Sequence, residues 1–345
     1  MKPSSFLLSL LALLGLALTT HSAAAQQLQG ARWFFGERVG IDFTTGAPRF
    51  ERGGQTQYFD ATGSSVCDAA GRLQFYTDGW RVWNRRHQLM PNGVILPYPG
   101  YDKGLTTLTV PVQGKPWLYR VFQMASVSVA DPRQITNRQS AAGAFGYFTV
   151  DMHRNGGRGD VVPDTGRAPL HIGISNALTA MIGPLGNTWV VAHASIGDAF
   201  YAWLVTEQGV EPPVVSHAGI AFDSAFAGTY PNGDRYGGAD FNAISLKAAH
   251  SSELVVLTVN QRGLTQLFPF DVRTGTVGSL RQQILEDRVT GPFNPPLPPG
   301  IVYADTTVEA AALSTDLRYL YVNVWQPWLL RPGWRGVAYQ YDLTA

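Results

Sequence analysis

Beyond the first 25 residues, apolar positions fall into short runs that either alternate with polar residues or continue unbroken for about four to eight positions. No long stretch keeps a helical period. Each run closes on a turn signal, often Asp followed by Thr or Gly, so the pattern predicts many short strands and almost no helix. One arrangement recurs: an apolar strand, a turn, then a second strand rich in aromatics. The first strands read "RLQFYTD" from Arg72, "PWLYRVFQ" from Pro116, "TWVVAHA" from Thr188, "ELVVLTVN" from Glu253 and "RYLYVNVW" from Arg318. Their partners include "FGYFTVDMHRNGG" from Phe145, "AFYAWLVTEQG" from Ala199, "LTQLFPFDVRTG" from Leu264 and "VAYQYDLTA" from Val337.

Aligning Leu73, Trp117, Val190, Leu254 and Leu320 gives separations of 44, 73, 64 and 66 residues. Strand-only repeats on this scale predict an all-β, β-propeller-like fold of about five to seven blades, shortened or incomplete at one end. The physical reason is that a small twisted sheet cannot cover both of its faces alone and stacks on its neighbours. "VGIDFTTGAP" from Val39 has the same shape as "LFPFDVRTG" and "YQYDLTA", which leads to the expectation that the N-terminal strand pairs with the last blade and closes the ring. The uneven spacing puts insertions in loops at residues 128–144, 218–238 and 291–299, and long loops on a rigid scaffold commonly carry function.

The first 25 residues change the picture of location. Lys2, an apolar run from Phe6 to Leu18 and Ala23-Ala24-Ala25 form a signal peptide expected to be cleaved before Gln26. One β-propeller domain is then expected over 26–345, secreted to the periplasm or beyond. No later run approaches the roughly 20 apolar residues of a membrane helix. Net charge is +1 with no basic run, so nucleic acid is not expected as a partner. Cys67 is the only cysteine and forms no internal disulfide.

Several segments together carry a likeness: "ARWFFGERVGIDF", "CDAAGRLQFYTDGWRVWNRRHQLMPNG", "FGYFTVDMHRNGGRGDVV" and "YQYDLTA". They resemble secreted β-propeller proteins of Bacteroidetes, whose members read W-[YF]-F-G-x-x-A-G-[LI]-D-F, D-x-x-G-x-L-[LQ]-F-Y-T-D-G and V-W-N-R-x-H-x-x-M-P-N-G. Agreement is dense from Trp33 to Gly93 and looser afterwards. The resemblance implies a surface or secreted protein of the type IX secretion and gliding system, and it transfers no catalytic residue. Similar proteins continue past "YQYDLTA" into further blades and a C-terminal sorting domain. The chain stops at Ala345, so a smaller ring, a shortened member or a fragment is expected.

Candidate chemistry concentrates in "LQFYTDGWRVWNRRHQLMPNG". Asp78-Gly79 reads as a hairpin turn and Asn92-Gly93 as the closure of the next one, with Phe75, Val82 and Trp83 as core. The functional alternative is a gripping surface made by Trp80, Arg85, Arg86 and His87, taking an extracellular glycan or an envelope protein. Carboxylates that could serve a glycoside hydrolase are Asp42, Asp240 and Glu309, provided that two of them flank one bond. The histidines are scattered and show no metal-site spacing. No cofactor is expected. Calcium stays open at "DMHRNGGRGD", where oxygen ligands and glycines coincide without the full calcium-loop spacing. Arg158-Gly159-Asp160 within it is read as a glycine-rich turn rather than an adhesive tripeptide. The sequence therefore predicts an exported, non-enzymatic binding module, with a carbohydrate-active enzyme using channel carboxylates as the alternative.

Overall fold

The computed structural model describes residues 28–56, 63–95, 101–127, 143–163, 169–183, 186–194, 197–222, 228–229, 235–236, 244–248, 254–259, 264–285, 307–325 and 336–344. The chain divides into two compact units, one of residues up to 96 plus 148–165, the other of 97–147 plus 166 onward. The fold is all-β. The one helical turn among the described residues, α1 (Arg154–Gly157), has left-handed residues at Asn155 and Gly156. No described helix is long and apolar enough to cross a membrane.

The first unit holds two antiparallel meanders. β1 (Arg32–Phe35), β2 (Val39–Asp42) and β3 (Arg49–Glu51) form one. β4 (Ser64–Cys67), β5 (Leu73–Thr77), β6 (Arg81–Asn84) and β7 (Leu89–Val94) form the other. Their shared core is aromatic. Tyr76 lies between Phe34, with ring centroids 4.5 Å apart, and Trp83, 5.3 Å away, and both pairs are stacked. Gly40 permits this packing, because a Cβ there would run into the Phe34 ring.

The second unit begins with β8 (Tyr101–Val112) and β9 (Lys115–Val127), followed by β10 (Gly143–Asp151). The end of β10 belongs to the first unit, where it pairs with β11 (Asp160–Val161) beyond α1. Next come β12 (His171–Ile182), β13 (Thr188–Ala194), β14 (Gly197–Val205) and β15 (Val214–Phe222). β16 (Gly228–Thr229) and β17 (Arg235–Tyr236) pair with each other. β18 (Ile244–Ala248), β19 (Leu254–Val259), β20 (Leu264–Asp271), β21 (Thr276–Val277) and β22 (Gln282–Leu285) make a further sheet, with β21 and β22 both pairing with β20. β23 (Thr307–Leu313), β24 (Tyr319–Trp325) and β25 (Gly336–Asp342) make the last.

The repeat is real but shifted by one strand. The five expected first strands are β5, β9, β13, β19 and β24, and each is an interior strand with a neighbour on both edges. This explains the unbroken apolar run of β13, which is buried at every position and has no polar alternation to display, whereas β24 alternates, with Leu320 and Val322 buried and Tyr321 and Asn323 exposed. Their expected partners, β10, β14, β20 and β25, are the next strands in each case.

Two expectations are corrected. β10 pairs with β12, so the middle of the chain is a single path β15-β14-β13-β12-β10-β9-β8 rather than two separate blades. "GIDF" does not seek the last blade either. β2 already has β1 on one edge and β3 on the other, which leaves it no free hydrogen-bonding row.

The core of the second unit lies on both faces of the long sheet. On one face Trp189, Val191, Phe200 and Ala202 pack with Leu264, Phe268 and Phe270. On the other Val190, Ala192 and Trp203 pack with Phe122, Phe145 and Ile174. Polar ties fix the stacking: Trp189 Nε1 donates to the Val272 carbonyl at 2.8 Å, and the Ala248 N–H donates to Thr179 Oγ1 at 2.9 Å.

Candidate functional site

The run from Leu73 to Gly93 folds as β5, β6 and β7, and it is mostly core. Phe75, Tyr76, Val82 and Trp83 are buried. Asp78 closes the β5–β6 turn by accepting hydrogen bonds from the Trp80 and Arg81 N–H groups at 3.0 and 2.9 Å. Its other oxygen, Oδ2, is buried and has no hydrogen-bond partner among the described residues. Trp80 is half-buried, with its carbonyl accepting from the Ile95 N–H.

The β6–β7 turn sits at Asn84–Gln88, earlier than expected. Asn84 Oδ1 accepts from the Arg86 and Gln88 N–H groups. Asn92-Gly93 is no turn at all. It lies within β7, where the register jumps between the pairs Arg81–Val94 and Trp83–Leu89, a bulge that absorbs the extra residues. Asn92 then clamps Asp160 through two bonds, from its N–H at 2.9 Å and from Nδ2 at 2.7 Å.

Arg85, Arg86 and His87 are neighbours in sequence with different directions. The two arginines are exposed. His87, in the left-handed region at φ 60°, turns inward. Its Nδ1 lies 3.1 Å from the Tyr76 hydroxyl, and its ring packs edge-on against Phe34. The Tyr76 hydroxyl also accepts from the Gln55 N–H, and burial pushes the phenol well above its ordinary range. Trp80, Arg85, Arg86 and His87 therefore do not present a common aromatic grip: one side chain is half-covered, two reach solvent and one braces the core.

The carboxylates are equally distinct. Asp42, at the end of β2, is held as an anion. Its hydrogen bonds with Thr44, including the Thr44 N–H at 2.7 Å, and Arg32 at 3.4 Å keep its carboxyl below the usual range. Arg32 also bonds Glu51 at 3.1 Å, so the inward face of the first sheet carries an ion triad across its three strands. Asp240 lies outside the described residues. Glu309 lies on β23 at a register shift between Val308 and Ala310, and its side chain is outside the described residues. In "DMHRNGGRGD", Asp151 accepts from the His153 N–H while Asp160 is taken by Asn92 and by the Val161 N–H. Asp160 is buried, so Arg-Gly-Asp is not offered to a partner. Among the described residues no three His, Cys, Asp or Glu side chains gather as a metal site.

The surface that sequence reasoning missed is the outer face of the first sheet. Trp33 on β1, Ile41 on β2 and Phe50 on β3 stand in direct register across the three strands. Phe35 and Val39 form the next pair along. Trp33 is 52% exposed, Phe35 40% and Phe50 86%. The Trp33 ring is fixed: Nε1 donates to the Gly30 carbonyl at 2.8 Å, and Phe43 leans on it with centroids 4.9 Å apart. The signal was present in "RWFFGERVGIDF". Its strands are apolar at both parities, whereas a strand with one wet face alternates. Phe34 satisfies the core, which leaves Trp33 and Phe35 for the other side.

Comparison with known families and with curated proteins gives no match. Among solved structures, the chain is similar to the β-propeller domain of Cps50 (Swd1) from Myceliophteria thermophila, at 10% identity over 90% of this chain and 86% of that one, with a TM-score of 0.41. A protein of unknown function from Desulfotomaculum acetoxidans is 12% identical over 89% and 79%, with a TM-score of 0.39. The exo-β-1,3-galactanase of Phanerochaete chrysosporium is 10% identical over 91% and 59%, with a TM-score of 0.34. At this level none of the neighbours' activities passes to this chain, and the all-β assignment rests on its own strands.

Proposed function

We propose that the chain is an exported, non-enzymatic all-β binding module that acts at the cell envelope or outside the cell, as a relative of the secreted Bacteroidetes propellers it resembles. The observation that carries the reading is the outer face of β1–β3, where Trp33, Ile41 and Phe50 stand in register with two of the three largely in water. Leaving aromatic surface wet forgoes burial worth about 25 cal/mol per Å². A contiguous exposed apolar patch on a soluble domain commonly marks a contact surface. The leader before Gln26 supports export, and one domain over 26–345 is the working unit of this proposal.

The hydrolase alternative loses one of its three acids as a proton donor. Asp42 is kept ionised by Thr44 and Arg32, whereas a general acid must hold its proton near neutral pH.

The test is co-sedimentation of the purified chain with isolated cell envelopes, together with N-terminal sequencing of the exported form. The proposal expects binding that Phe50→Glu abolishes, and a mature chain beginning at Gln26. Binding indifferent to Phe50→Glu would refute this surface, and a retained leader would refute export.

A further inference from the structure

We infer that the outer face of β1–β3 binds an extended β-linked polysaccharide of gluco configuration, its sugar rings lying flat on Trp33 and Phe50. This rests on the binding-module reading and names its ligand class. Trp33 and Phe50 are separated by one intervening strand, so their backbones stand about 9–10 Å apart across the sheet. Ile41 fills the floor between them. The row therefore offers two aromatic surfaces joined by an aliphatic one, a strip crossing the strands. Equatorial β-linked pyranoses present C–H faces to such a strip and keep their hydroxyls at the edges. Beyond the bordering Phe35–Val39 pair, the β1–β2 turn carries exposed Glu37 and Arg38, and Arg52 after β3 is exposed too.

The aromatic part of the patch is small beside a stable protein interface. From the exposed fractions of Trp33, Phe35 and Phe50, its aromatic area is roughly 350 Å², taking 150–250 Å² per aromatic side chain. A stable protein interface needs about 800 Å² from each partner. A narrow chain is satisfied by far less, and repeats along its length add avidity. Preorganisation points the same way. The Trp33 indole N–H is already bonded to Gly30, so the ring offers its face rather than a donor and loses little freedom on binding.

The experiment is retention of the purified full chain on amorphous cellulose and colloidal chitin, with α-linked starch as control, and with light scattering and thermal melting run alongside. The inference expects retention on at least one β-linked matrix and not on starch. Phe50→Ala and Trp33→Ala should each weaken it at least about tenfold, with the Phe50→Ala melting temperature unchanged. No retention on either β-linked matrix, equal retention on starch, or retention that survives the double substitution overturns the polysaccharide. So does a dimer that Phe50→Glu dissolves. If polysaccharide retention fails while envelope binding remains sensitive to Phe50→Glu, the surface still binds and only its ligand class is wrong. If both fail, the binding-module reading falls with it.

Discussion

His193 on β13 is fully buried, with its ring edge-on to Phe200 at 4.6 Å. Its Nδ1 lies 2.7 Å from the Ala194 carbonyl; a carbonyl only accepts, so Nδ1 carries the proton of the neutral ring. Burial pulls the imidazole down to about 4, against smaller opposing pulls from that carbonyl and from Asp198. Above the unfolded value near 6.5 the residue places no pH dependence on folding. As pH falls from there to about 4, the unfolded chain takes up a proton that the folded chain refuses, and stability drops by up to about 3 kcal/mol before levelling off. Urea unfolding across that window should show the loss, and His193→Gln should flatten this part of the acid limb even though it costs stability at neutral pH. An equally steep limb in the variant would assign it to other groups.

At the scale of elements, the two meanders of the first unit use aromatics in opposite ways, and substitution separates them. Trp83→Ala removes one leaf of the Phe34–Tyr76–Trp83 stack and should destabilise by roughly 3–5 kcal/mol in denaturant unfolding. Phe50→Ala, on the wet face of β3, should change stability by less than about 0.5 kcal/mol. Equal costs would mean that the outer face is covered in solution. The same contrast shows what the sequence made legible. Interior strands such as β13 announced themselves because burial on both faces leaves an unbroken apolar run. The pairing of β10 with β12 was hidden, since edge-to-edge joining depends on which backbone rows remain free and not on side-chain pattern. "MPNG" misled for a related reason. Asn-Gly is favoured in turns for its left-handed freedom, but here Gly93 serves close packing, since a Cβ would lie 2.7 Å from the Val82 carbonyl, and Asn92 is fixed by Asp160, 68 residues away. The candidate surface was not legible: Trp33 meets Ile41 only through the β1–β2 register, and Phe50 joins them only through that of β2–β3.

At the scale of the whole chain, stability comes from packed sheets without covalent staples. The lone cysteine, Cys67, lies in the aromatic cluster of the first unit and is buried. Burial pushes its thiol up to about 11, so near neutral pH it is both protonated and out of reach of reagents. The proposed export would carry the chain into oxidising surroundings, where an exposed thiol would cross-link copies. Here the packing of Phe34, Leu73, Tyr76 and Trp83 around Cys67 shields it. Two outcomes follow for the purified chain. Reductant should leave the melting temperature unchanged. A thiol reagent at neutral pH should add one label per chain only over the denaturant range in which tryptophan fluorescence reports unfolding, because the core around Cys67 must open for the sulfur to react. Prompt labelling of the native chain, read by mass spectrometry, would show that this core breathes well below the global transition and would move Cys67 from a packed residue to a reactive one.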